Sequence, residues 1–439
     1  MGFVRKHLSA DGLIQIVRHS LLRSDLKPLI GSDYTWQDCF MSGLAIFAFK
    51  APSLLQFEKM KSSETMIRRN LRTLYKVKKA PSDSTLRERL DRVPPKHFRL
   101  AFKKIFSYLQ RSKVLESCRY LDNHYIISID GTGQYSSKKV SCKHCCEKKH
   151  KKTGEVTYYH QMLGASLVHP DKKVVIPLAP EPIVKGDGDT KNDCERKASK
   201  RLLTDFRREH PHLKALIVED GLASNYPHLS LIDSLNMDYI VGVKPGDHKY
   251  LFDWISDLPP NEHSQTDEAG IVHAFKYYND VPLNDANYDY RVNVIEYTET
   301  KKSGKQRRWS WVTKLTITPA NAYKIMRAAR SRWKIENETF NTLKNQGYNF
   351  EHNFGHGNEY LCSVMMMLML LAFLIDQVQQ LCCKNYQKAR KHIGNFKKLF
   401  EEIRVLIRYA VWDSMEQILI FIGVPESRSP PDTAMWPTS

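Results

Sequence analysis

The chain is 439 residues long, 42% hydrophobic and 26% charged, with 67 Lys and Arg against 48 Asp and Glu, a formal net charge of +19 and a pI near 9.4. That composition excludes a disordered chain, and the positive surplus points to a polyanionic partner, nucleic acid first. Nine cysteines, spread over a chain whose first residues MGFVRKHLSA carry no signal-peptide pattern, argue against a disulfide framework and for a reducing, intracellular compartment.

The charge is uneven: residues 1–120 hold 24 Lys and Arg against 10 Asp and Glu. Apolar residues recur at three- and four-residue spacing in GLIQIVRHSLL, FMSGLAIFAF and HFRLAFKKIFSYL, which predicts helices from residue 11 to about 115. Within them RRNLRTLYKVKKAPSDSTLRERLDRVPP reads as helix, turn, helix. Pro81 breaks, Ser82 or Asp83 caps, Arg87 and Arg89 follow, and Pro94 stops the second helix. Two short helices joined tightly among basic residues suit DNA binding, with Arg87 and Arg89 as candidate contacts; an ordinary helical hairpin with a charged face has the same pattern.

At HYIISIDGTGQY a β-prone apolar run ends on Asp130 and Gly131. TYYHQMLGASLVH and KKVVIPLAPEPI predict further strands, and DCERKASKRLLTDFRRE predicts a helix. LKALIVEDGLASN then gives a strand ending in Asp220 and Gly221, followed by a helix in YPHLSLIDSL and a strand in DYIVGVK. This succession predicts an α/β fold, a mixed sheet with helices packed on it. From about His263 to Thr318, IVHAFKYYND, YDYRVNVIEYTET and RRWSWVTKLTIT predict a β-rich insertion. Helical pattern returns to about residue 423. Its most apolar run, Tyr360–Ile375, is short for a membrane span of roughly 20 residues and reads as a buried helix, with no membrane partner expected. PESRSPPDTAMWPTS reads as a loose tail. The boundaries fall at 1–118 (helical and basic), 119–262 (α/β), 263–318 (insertion), 319–384 (closing helices) and 385–439 (C-terminal helices and tail).

Open α/β sheets hold their chemistry at the carboxyl ends of strands, where Asp130 and Asp220 both sit, each after an apolar run and each before a glycine. A lone strand-end aspartate is usually a turn former or helix cap; two with the same local grammar form a pattern. A third acid comes from the predicted helix SRWKIENETFNTLK, where Arg332 precedes Glu336 by four residues and Lys344 follows it by eight. By itself the Arg332–Glu336 spacing is that of a common surface pair. Beside two strand-end aspartates, Glu336 would complete an all-oxygen site suited to Mg²⁺ or Mn²⁺, and the three acids would repel one another without cations. Two such ions can activate a water or a 3′-hydroxyl for in-line attack on phosphorus, which matches the basic charge.

Other signals are weaker. SCKHCCEKKH places Cys142 and Cys145 in a Cys-x2-Cys pair near His144, Cys146 and His150, but no second pair at zinc spacing follows. His160 or Cys194 could supply partners only through the fold, so the run reads as reduced cysteines in a basic loop. That loop carries seven lysines from Lys138 to Lys152 against one acid and suits a DNA-facing role beside Asp130. Asp187, Asp189 and Asp193 lack the length and terminal glutamate of an EF-hand and read as a loop and helix cap. Glu181 and Glu195 are candidates for a supporting role behind the acids.

Taken together, IDGT, IVEDGLASN and RWKIENETFNTLK resemble the three acid-bearing segments of DDE transposases of bacterial insertion sequences, in the branch whose third acid lies in a Tyr-x2-Arg-x3-Glu-x6-Lys signature. The resemblance spans roughly residues 60–385, with the acids 90 and 116 residues apart and a β-rich insertion before the last. It implies a ribonuclease-H-like mixed sheet flanked by helices, with a helical N-terminal region that binds DNA ends. It also implies catalytic and metal-binding Asp130, Asp220 and Glu336, two Mg²⁺ or Mn²⁺ ions, and Arg332 and Lys344 as phosphate holders. RRWSWVTKL resembles the insertion strand whose tryptophan holds a flipped base, with Trp311 the better match and Trp309 the alternative. The chain departs from the signature in two places: Ala329 stands where the tyrosine belongs, and Lys344 lies one residue late. Glu338 is a rival third acid, but only Glu336 keeps the Arg-x3-Glu spacing. The implied function is cut-and-paste transposition, with cleavage at terminal inverted repeats, joining of the 3′-OH to target DNA and a homodimer pairing two ends, in the bacterial cytoplasm on the nucleoid. The alternatives are a captured, catalytically idle transposase acting as a DNA-binding regulator, and a metal-dependent nuclease of the same fold without strand transfer.

Overall fold

The computed structural model describes residues 7–22, 26–29, 31–188 and 191–424, without the side chains of 191–193. Asp189, the side chain of Asp193 and the tail from residue 425 lie outside the described residues.

The sheet begins with β1 (Tyr125–Ser137), β2 (Cys146–Lys149), β3 (Val156–His169), β4 (Lys172–Pro177), β5 (Glu181–Ile183), β6 (Ala215–Glu219) and β7 (Asp238–Gly242). The YIISI run of β1 and the ALIVE run of β6 are buried at every position, as expected of central strands covered on both faces. β1 pairs antiparallel with β3 and parallel with β6, and β6 pairs parallel with β7. With β4 antiparallel to β3, the order β4-β3-β1-β6-β7 is a mixed sheet consistent with a ribonuclease-H-like transposase fold.

The insertion contributes β8 (Asn261–Thr266), β9 (Val272–Pro282), β10 (Arg291–Thr300) and β11 (Gln306–Thr313). It continues the same sheet, because β11 pairs antiparallel with β7, placing Trp311 opposite Gly242. The strand NEHSQT escapes a hydrophobicity pattern because it is a short, polar, mostly exposed edge strand.

The helices are α1 (Ala10–Leu21), α2 (Trp36–Ala48), α3 (Leu54–Ser63), α4 (Thr65–Tyr75), α5 (Asp83–Asp91), α6 (Arg99–Arg111), α7 (Lys191–Glu209), α8 (Tyr226–Ser234), α9 (Lys249–Ser256), α10 (Ala322–Arg330), α11 (Asn341–Asn345), α12 (Leu361–Cys382), α13 (Lys384–Ile393), α14 (Phe396–Tyr409) and α15 (Met415–Gly423). α12 holds the apolar run. It is long and apolar enough to cross a membrane, yet 94% of its most apolar window is buried inside the protein, where it packs against α1, α2, α5, α6 and β4. The amino-terminal and carboxyl-terminal helices share this core. Asn70 donates to the carbonyls of Ile407 and Ala410 at 2.8 and 2.7 Å, and buried Lys50 pairs with Asp376 at 2.7 Å. The turn between α4 and α5 closes as expected from the sequence, with Lys76 in the left-handed conformation ending α4 and Ser82 capping α5 through the amide of Thr85. Asp91, at the end of α5, accepts the amides of Asn358, Glu359, Tyr360 and Leu361 and so caps α12 from outside.

Candidate active site

Asp130 and Asp220 emerge from neighbouring strands at one level. Ser128 lies opposite Val218 in the parallel pair, and each aspartate follows two residues later. Asp220 accepts the amide of Leu222 at 3.0 Å and caps the short turn Gly221–Ala223. Asp130 accepts the amide of Gly131 at 2.8 Å through one oxygen and the guanidinium of Arg332 at 2.9 Å through the other.

Glu336 is delivered differently, and here the sequence expectation is corrected. Instead of one α-helix, α10 ends at Arg330, residues Ile335–Phe340 wind as a π-helix, and α11 follows. Packing explains the change. Ile335 and Phe340 are five residues apart, both are buried, and i→i+5 winding puts them on one face. That face closes on Gly164, the residue opposite Asp130 on β3, where a Cβ would lie 2.8 Å from Phe340 Cζ and 3.5 Å from Ile335 Cδ1. Thr339 Oγ1 meets Ser166 Oγ at 3.2 Å, and Ser128 Oγ donates to the carbonyl of Arg332 at 2.9 Å. A π turn holds roughly one residue more than an α turn. By ideal geometry that brings Lys344 nearer the face of Glu336 than a straight α-helix, which would leave it roughly 80° away. The Lys344 ammonium pairs with Glu351 at 3.1 Å.

Asp220 and Glu336 both lie within electrostatic range of Asp130. Burial raises the Asp130 carboxyl above the ordinary aspartate range; Arg332 and the Gly131 amide oppose this, and the charges of Asp220 and Glu336 raise it further. Glu338 acts on Lys334 instead. A recess of about 30 Å³, room for one water or small cation, is lined by Asp130, Asp220, Glu195 and Glu219. Glu195 reaches this point from α7: a Cβ on Gly131 would sit 3.3 Å from its Oε1. Behind Asp220, Glu219 pairs with His228 of α8 at 2.6 Å. Burial opposes the charge on His228, but Glu219 outweighs it and raises the imidazole above its ordinary value. The clustered oxygens suit hard divalent cations, whose charge would relieve the repulsion at Asp130.

A groove of about 1210 Å³ runs from Asp220 to the insertion strands, lined by Lys244, Arg308, Trp309, Trp311, Arg330 and Arg332 among others. Trp309 and Trp311 share one face of β11, but Trp311 is only 7% exposed. Trp309 is the more accessible ring, stacked on Tyr297 at 5.4 Å beneath the Arg330 guanidinium at 4.7 Å. Trp333 also lines the groove, 49% exposed with Arg332 over its ring; its position beside the signature arginine was the one sequence signal for it. Arg87 is exposed, pairs with Asp83 at 3.2 Å and lays its stem beside Gly355, whereas Arg89 is half-buried. Glu181 is engaged by Arg201 at 2.7 Å and Arg99 at 3.5 Å.

Compared with known families, residues 122–374, more than half of the chain, match the model described as "Transposase DDE domain". No curated protein matches the chain.

Proposed function

Because the chain belongs to the transposase DDE domain family, whose members act on DNA and generally use divalent metal ions, we propose that it is a cut-and-paste DNA transposase. It would cleave its own element's ends and join the freed 3′-OH to target DNA, with Asp130, Asp220 and Glu336 holding two Mg²⁺ or Mn²⁺ ions. The observation that carries this reading is the Asp130 carboxyl, mostly buried midway along β1 and acted on by the charges of both other acids. Bound there, the ions would supply an activated water or 3′-hydroxyl and a counter-charge for the leaving oxygen.

The protein's own residues would do the rest. Arg332 lines the groove and reaches Asp130, so its fork would hold phosphate oxygens beside the cut. Lys344, eight residues beyond Glu336, would add a point charge further along the backbone. Trp309, or Trp311 after a shift, would retain a base flipped from the transposon end, as a hairpin intermediate requires. The basic helices, with Arg87 on their surface and Arg89 beside it, would bind the terminal inverted repeats. Two protomers would pair two ends, on the nucleoid in the cytoplasm.

The test is strand transfer with Mg²⁺ on paired end substrates. Joined products from the native chain and none from Asp130→Asn are expected; equal activity in both would refute the role of Asp130. Cleaved ends that never become joined would leave a nuclease of this fold.

A further inference from the structure

Apart from the acids, four thiol and imidazole groups meet at one point. Cys142 and Cys145 lie in the turn before β2, His160 lies on β3, and His356 lies in the segment between α11 and α12. Cys142 Sγ and Cys145 Sγ are 3.8 Å apart, and each is 3.4 Å from His160 Nε2. Cys145 Sγ is 3.2 Å from His356 Nε2, and all four ligand atoms lie within 4.8 Å of one another. Zinc with Zn–S near 2.3 Å and Zn–N near 2.0–2.1 Å makes a tetrahedron whose edges run roughly 3.3–3.8 Å. The four separations of 3.2–3.8 Å fall in or close to that range, and the other two are no longer than 4.8 Å.

Neither a disulfide nor plain packing accounts for this arrangement. A disulfide needs sulfurs about 2.05 Å apart, little more than half the distance found. A purely apolar packing role leaves unexplained two Nε2 atoms turned toward the same pair of sulfurs. Cys145, His160 and His356 are buried and Cys142 is half-buried, so the cluster is closed, as structural zinc sites are. The surroundings also orient the ligands. His356 Nδ1 lies 2.8 Å from the carbonyl of Gly357, the contact that leaves Nε2 free to coordinate. The amide of Cys142 points at Cys145 Sγ at 3.4 Å, a bond that favours a thiolate.

We propose that Cys142, Cys145, His160 and His356 form a structural Cys₂His₂ zinc site. It stands independently of the proposed transposition chemistry. Its physical effect is a three-way clasp. The zinc joins the basic loop from Lys138 to Lys152, the strand antiparallel to β1, and the segment that follows the helix of Glu336. The far end of that segment is gripped by Asp91 of α5, and beside the cluster Lys143 pairs with Glu359 while His144 stacks on Tyr360 at 4.9 Å. One ion would therefore fix how the basic loop and the end-binding helices stand relative to the sheet.

The test is metal analysis of the full chain purified without chelator, together with cobalt substitution. About one zinc per chain is expected in the native protein and in Asp130→Asn, and cobalt should give the visible bands of a tetrahedral thiolate site. Cys145→Ser and His356→Ala should lose the metal, whereas His356→Cys, which exchanges one zinc ligand for another, and Cys146→Ser should keep it. If the substituted chains do not fold, zinc content and the cobalt spectrum of the native chain decide alone. A native chain that stays zinc-free with added zinc, a Cys142–Cys145 disulfide, or zinc lost on Asp130→Asn but kept in Cys145→Ser would overturn the proposal.

Discussion

Two kinds of support hold the three acids. Asp220 follows the end of β6 as the sequence suggests, whereas Asp130 follows the buried run of β1 but lies within the strand, which continues to Ser137; a parallel ladder joins the two strands. Glu336 rides a π turn held on the sheet by side-chain contacts, with Phe340 over Gly164, Thr339 on Ser166 and Ser128 on the Arg332 carbonyl. The acids carried by the strands are as rigid as the sheet, while the third depends on these side-chain contacts. Damage to the first kind should abolish chemistry without moving the fold, and damage to the second should move the acid.

The largest effect is expected at the strand ends. Asp220→Asn keeps the size and capping ability of the side chain but removes its charge, so single-turnover cleavage should fall by about three orders of magnitude, the several kcal/mol that metal chemistry supplies. Circular dichroism and melting should stay close to those of the native chain. A drop of less than tenfold would mean that Asp220 is only a cap.

Next comes the contact beneath the π turn. Gly164→Ala places a Cβ 2.8 Å from Phe340 Cζ, and overpacking of this kind costs about 1–3 kcal/mol. Both thermal stability and cleavage should fall, and Phe340→Leu added to Gly164→Ala should restore part of each by opening space. Full activity in Gly164→Ala alone would show that the position of Glu336 does not depend on this face.

The same contrast explains what the sequence could reveal. The aspartates were legible because an apolar run, an acid and a glycine are neighbours in the chain, as were the buried character of α12 and the cap at Ser82. The π turn was not, because it exists to seat Ile335 and Phe340 on a glycine far away on β3. Cys142 and Cys145 announced half of a metal site, but His356 is 211 residues from Cys145 and no local spacing connects them. Nor could local pattern show that the insertion continues the main sheet, since that rests on β11 finding β7. That Trp311, the better match to the motif, is the more buried of the two tryptophans is likewise something no motif shows.

A smaller effect should follow removal of Lys344. If the π turn directs it toward the duplex, Lys344→Ala should weaken DNA binding similarly across sequences and reduce the slope of log K against log salt by about one. Cleavage at saturating DNA should change little. An unchanged slope would leave Lys344 as the partner of Glu351 alone.

The subtlest effect concerns acidity. The Asp130 carboxyl lies above its ordinary value because burial, Asp220 and Glu336 together outweigh Arg332 and the Gly131 amide. Its ionised form is the one a cation needs, so at limiting Mg²⁺ cleavage should fade, as pH drops, earlier than an ordinary aspartate would dictate. Stability runs the other way. The folded chain holds this proton more tightly than the unfolded one, so the stability cost of Asp130 accrues as pH rises from the ordinary aspartate range to its folded-state value, is full above that value and is absent below the ordinary range. Asp130→Asn should therefore melt higher than the native chain at neutral pH, with the gap closing as pH falls through that window. A variant that melts lower at neutral pH would mean that the Arg332 ion pair outweighs burial and the two neighbouring charges, reversing the balance assigned to this acid.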